Sequence, residues 1–141
     1  MINYDPRYLA GVLFFNAGDF FEAHEVLEDL WAESYGDDRR FVQGLIQAAV
    51  GLFHYSGGNL GGAAKLYRTS REYMAPVGSP FWGLDVNDFW RRMEACFRPV
   101  LGPEPPDRAT RPDPALLPTL TLDPPPETWP DPEEYIHEDE E

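Results

Sequence analysis

Eleven of the fifteen prolines fall in residues 102–141. No other feature constrains the fold as much. Each proline fixes its own φ and removes a backbone donor, so this stretch admits neither long helices nor central strands. The same residues hold 12 acidic and 2 basic side chains, a net of −10, out of −14 for the whole chain. Residues 1–101 are therefore only mildly acidic, with 13 acidic against 9 basic side chains. Two regions follow: a domain over 1–101, and a proline-rich acidic tail over 102–141. The tail is expected to be extended, either partly docked along the domain or disordered. Leu116, Leu117, Leu120, Leu122, Trp129, Tyr135 and Ile136 are its possible anchors, and Glu138 to Glu141 should stay free through self-repulsion. His137 has no evident partner.

Residues 1–101 read as five helices. Pro6 follows an Asp5 cap, and Ala17-Gly18 ends the first helix. Asp19-x-x-Glu22 resembles a capping box for the second. Asp37 or Asp38 caps the third, Asn59 the fourth and Asp85 the fifth, with Pro99 placed just beyond the last. No segment alternates with period two for long enough to be a strand. The fold class is all-α, a bundle of about five helices with short antiparallel connections.

Composition excludes several functions. A negative field opposes phosphate contacts, so no nucleic acid is expected as a partner. The acids sit mostly in the tail, which also argues against a rigid nucleic-acid mimic. No apolar run is long enough for a membrane span, and the N-terminus lacks the pattern of a signal peptide. A cytoplasmic protein with no membrane partner is the expectation. The single cysteine, Cys96, lies on the apolar arc of the fifth helix and reads as a core thiol.

The second and third helices carry the candidate site. On a wheel with Phe20 at zero, His24 lies at about 40° and Glu28 at about 80°, between Trp31 and Phe21. Both thus fall within the apolar stripe, and at a spacing of four their side chains meet. The third helix is apolar nearly all round, yet Gln43, Gln47 and His54 share one narrow arc. Gly44 and Gly51 lie beside it and permit close approach of a neighbouring helix. Antiparallel packing would let His24, Glu28, Trp31, Gln43, Gln47 and His54 converge into a buried polar pocket.

Such a cluster has three readings. It is a structural network that locks register. It is a small-molecule or catalytic pocket, with Glu28 as a base of raised pKa and His24 as its partner. Or His24 and Glu28 ligate a divalent metal. The string His24-Glu25-x-x-Glu28 differs from the zinc-protease motif in lacking its second histidine. Gly57 to Gly62 lacks the lysine of a phosphate loop and reads as a helix-to-helix turn. Lys65, Arg68 and Arg71 form a basic stripe suited to pairing with the tail or with acids of the second helix, or to a phosphorylated ligand at the helix start.

The strings Phe20-Phe21-Glu22-Ala23-His24-Glu25-Val26-Leu27-Glu28-Asp29-Leu30-Trp31 and Phe41-Val42-Gln43-Gly44-Leu45-Ile46-Gln47-Ala48-Ala49 resemble two motifs of domain-of-unknown-function family 309. Asn59 to Ala64 looks like a third. The resemblance implies a small all-helical bacterial or archaeal protein and no assigned activity. It supports His24, Glu28, Trp31, Gln43 and Gln47 as hallmark positions. Two functions compete: a ligand- or metal-binding polar site, and a non-catalytic interaction module whose acidic tail docks on a partner or on the domain itself. A homo-oligomer is a possible assembly.

Overall fold

The structure, a computed structural model, describes residues 3–137. The reading of Glu138 to Glu141 therefore lies outside the described residues. Five helices succeed one another: α1 (Pro6–Asn16), α2 (Phe20–Ala32), α3 (Gly36–Ser56), α4 (Leu60–Met74) and α5 (Val86–Leu101). Among the described residues there are only isolated β-bridges and no strand, so the all-α class holds.

Three of the caps form as expected. The side chain of Asp5 accepts from the Arg7 N–H, Asn59 from Gly62 and Asp85 from Asp88. Two differ. Asp19 makes no side-chain capping bond. Helix α3 starts earlier than Asp37, with Tyr35 in the cap position and no side-chain cap. Asp37 and Asp38 instead occupy its first turn, where carboxylates favour the positive end of the helix dipole. Pro99 lies inside α5 rather than beyond it. In the last turn a proline forfeits one hydrogen bond only, and Val100 is buried just past it.

Each helix packs on its neighbour in sequence, α1 on α2, α2 on α3, α3 on α4 and α4 on α5. Aromatic contacts close the bundle. The Phe15 and Phe89 rings join α1 to α5 at 6.2 Å, and Tyr8 and Phe41 join α1 to α3 at 6.0 Å. The α3–α4 contact depends on Gly44. A Cβ there would stand 2.1 Å from Met74 Cγ, and the buried Ser70 hydroxyl donates to the Gly44 carbonyl at 2.6 Å.

Residues 102–137 run over this bundle. Leu120 and Leu122 are buried, while Leu117, Tyr135 and Ile136 pack partly against the core. Asn16, the last residue of α1, clamps the backbone of Leu120 with both ends of its amide. Its Nδ2 donates to the Leu120 carbonyl at 2.8 Å, and its Oδ1 accepts from the Leu120 N–H at 2.6 Å. Leu122 bridges to Leu84, and the Asp123 N–H donates to the Gly83 carbonyl at 2.8 Å. The Tyr4 hydroxyl donates to the Pro124 carbonyl. A short 3-10 turn, Pro132–Tyr135, packs on α1. His137 is not partnerless: its Nε2 lies 2.7 Å from Asp29 Oδ2 on α2. Leu116 and Trp129 stay exposed.

Candidate functional site

Helices α2 and α3 pack side by side, and their shared outer edge carries the polar residues singled out by the sequence. Antiparallel pairing is visible at both ends of that edge. Phe21 touches Phe53, with ring centroids 5.7 Å apart, and Arg39 sits over the Trp31 ring at 3.8 Å. Between these ends lie His24 and Glu28 on α2, and Gln43, Ile46 and Gln47 on α3.

The burial differs from the wheel reading. His24 is 19% exposed at its side chain, but Glu28 is 57% exposed. A carboxylate this open to water is not the buried group that the wheel implies. The wheel places Glu28 within the apolar stripe, but no further helix covers that side of α2. The cluster is therefore the rim of a surface groove. Glu28, Asp29, Trp31, Ala32, Gln43 and Ile46 line about 480 Å³ of open space there.

The His24 ring is oriented from its own helix. Its Nδ1 donates to the Phe21 carbonyl at 2.6 Å, which leaves Nε2 facing Glu28 Oε1 at 3.5 Å. With Nδ1 committed as donor, an ion pair to Glu28 requires the doubly protonated imidazolium. The Phe21 ring packs edge-on against the imidazole at 4.9 Å. Gln47 Oε1 is buried without a hydrogen-bond partner. His54 does not join the cluster: its Nδ1 lies 3.3 Å from Asn59 Nδ2, at the turn into α4. So the structure brings His24 and Glu28 into contact and sets Glu28, Trp31 and Gln43 around one groove. Gln47 lies on the same edge, and His54 stands apart.

For a metal, the pair supplies two donors, one fewer than the protein ligands of a catalytic zinc. Among the described residues there is no group of three or more His, Cys, Asp or Glu side chains placed to hold one. Two other sequence features also resolve. Cys96 is buried, and burial pushes its thiol up to about 11. Within the basic stripe, Arg71 pairs with Glu94 of α5 at 3.7 Å, rather than with the tail or α2.

The sequence reading missed the exposure of Phe21 and Phe53, each 47% accessible. Phe53 belongs to the third helix, whose nearly all-round apolar character implies burial, yet it faces water.

The fold and its α2–α3 edge define the class as an all-helical bundle with an open polar-aromatic groove. Residues 8–66 match the family model described as Domain of unknown function (DUF309), a match that runs from α1 through α3 into the start of α4. An uncharacterized protein of Aquifex aeolicus (strain VF5) is 31% identical over 88 residues, covering 62% of this chain and 25% of that protein. The uncharacterized protein YpuF of Bacillus subtilis (strain 168) is 39% identical over 69 residues, 48% of this chain and 40% of YpuF. The chain thus spans well under two thirds of the length of these curated relatives. Among the described residues no helix is long and apolar enough to cross a membrane.

Proposed function

We propose that the chain is a non-catalytic interaction module, docking through the α2–α3 edge onto a second copy of itself. The observation that carries this reading is the Phe21–Phe53 pair. Two rings in contact at 5.7 Å, each half in water, form an apolar ridge beside a groove on the same face. A ridge and a groove side by side are self-complementary under a two-fold axis, each filling its counterpart. His24 and Glu28 then act as a register pair at the rim, not as reacting groups. The packing of Leu120 and Leu122 into the bundle also supports the reading, because the tail is then held by the domain itself.

Sedimentation of the full chain from about 10 μM to about 1 mM tests it. A concentration-dependent dimer is expected. Phe53→Ser removes roughly 1.5 kcal/mol of apolar burial from each of the two copies and should weaken association about a hundredfold. A monomer throughout the range, or a dimer indifferent to Phe53→Ser, would contradict the reading.

Gln47 favours a second reading, a small polar ligand or a divalent metal at the same edge. Its buried, unpartnered Oε1 leaves an acceptor that a donor-bearing ligand would satisfy. Metal content of protein purified without chelator, for wild type and His24→Ala, tests the metal form. A near-stoichiometric metal lost in the variant would support it, and equal content in both would refute it.

A further inference from the structure

Where the start of α1, the end of α2 and the start of α3 meet, a second cavity of about 350 Å³ opens to solvent. Its lining combines two kinds of residue. Tyr4, Tyr8 and Trp82 are aromatic walls, and Tyr35 stands beside them, 83% exposed. The Tyr8 and Trp82 rings meet edge to face at 5.3 Å, and Tyr4 and Tyr8 lie 6.1 Å apart. The carboxylates of Asp5, Glu33 and Asp38 line the same space against one cation, Arg7.

Arg7 is already engaged. Its guanidinium pairs with Asp5 at 2.8 Å and with Glu33. Three carboxylates and one guanidinium leave the lining at a net −2. An anion would meet like charge, and the one cation is occupied. An organic cation matches both halves of the lining, since aromatic ring faces attract cations and carboxylates complement their charge.

Two local features aim aromatic rings at this place against ordinary preference. Trp82 has φ +45°, in the left-handed region that favours glycine, within the tight Phe81–Leu84 turn. The Tyr8 hydroxyl holds it there by donating to the Trp82 carbonyl at 3.0 Å. Tyr35 occupies the cap position of α3, where Ser, Thr, Asp or Asn would bond the helix, and it makes no capping bond.

We propose that this cavity binds an alkylammonium group, either of a free amine or of a lysine side chain. The test is an NMR titration of the full chain with choline, n-butylammonium and N-acetyl-lysine methylamide. The neutral choline isostere 3,3-dimethylbutanol serves as control. Saturable shifts at the Trp82 indole N–H and the Tyr35 ring are expected with the ammonium compounds and not with the alcohol. Tyr35→Ala and Asp38→Asn, both at exposed positions, should each weaken binding about threefold to tenfold; Tyr35→Ala should leave the thermal melt in place, and Asp38→Asn, which removes a first-turn carboxylate of α3, should lower it by no more than about 4 °C. Tighter binding of the blocked lysine than of butylammonium would assign the lysine source, and the reverse order a free amine. Absence of saturation up to about 50 mM, equal binding of the alcohol, or unchanged affinity in both variants would overturn the proposal.

Discussion

Leu122→Ala measures how far residues 102–137 belong to the cooperative unit. The Leu122 side chain is 5% exposed, and its backbone bridges to Leu84 at the foot of α5. Truncating a buried leucine costs about 2–5 kcal/mol, the lower end where the surroundings collapse into the space. An extended segment yields more readily than a helix, so a loss of about 2–3 kcal/mol is expected. For a chain of this length that lowers Tm by about 6–12 °C. Asn16→Ala attacks the same segment by a different force. It leaves the Leu120 N–H and carbonyl without the two amide bonds they make now, at about 1–3 kcal/mol. The double variant should lose less than the sum, because both changes release one stretch of chain. Leu116→Ala, at a site 43% exposed, is the control and should change stability by less than about 0.5 kcal/mol. Calorimetry and urea unfolding read all four. If Leu122→Ala melts together with Leu116→Ala, the segment is not part of the cooperative unit and the reasoning fails.

Three further outcomes are expected. Gly44→Ala should destabilise by about 1 kcal/mol, since its Cβ meets Met74 at 2.1 Å and overpacking outweighs the gain in helix propensity; Gly61→Ala, with nothing within 4 Å, should be neutral or stabilising by the same urea measurement. The Arg7 guanidinium holds the Asp5 carboxyl below its ordinary value, so the stability it contributes is present above about pH 4 and is lost as pH falls through the lowered value. Asp5→Asn keeps a capping side chain but should flatten the acid limb of the stability curve by under about 1 kcal/mol, given the partial exposure of the pair. Cys96, with its thiol raised to about 11 by burial, should react with a thiol reagent at pH 8 only after unfolding; its ordinary value is 9.0, so the stability it contributes is full below pH 9 and lost as pH rises towards 11.

The helices were legible because their signals are local. Asp5, Asn59 and Asp85 cap as the sequence implies, since a capping oxygen needs only the N–H two or three residues on. Gly44 was legible too, because a missing Cβ within an apolar helix has few uses other than close approach. The site was legible in membership but not in depth. A wheel fixes the angle of Glu28 on α2, but its burial depends on whether another element covers that angle, and none does. The chain between 102 and 137 shows the same limit. Leu120 and Leu122 are buried while Leu116 and Trp129 are not, and their hydrophobicity does not distinguish them. The clamp from Asn16, 104 residues away, does. The alkylammonium cavity left no trace in any single segment. Its aromatic residues come from the loop before α1, from α1, from the α2–α3 turn and from the turn before α5.

In the proposed assembly the α2–α3 edge meets the same edge of a second copy. The most direct measurement is an isotope-filtered NOE experiment on a mixture of labelled and unlabelled full-length chains. Contacts between chains from the Phe21 and Phe53 rings to the Ile46 methyls and the Trp31 ring are expected, because ridge and groove lie on one face. A dimer whose intermolecular contacts all lie elsewhere, or a mixture showing none at about 1 mM, would contradict it.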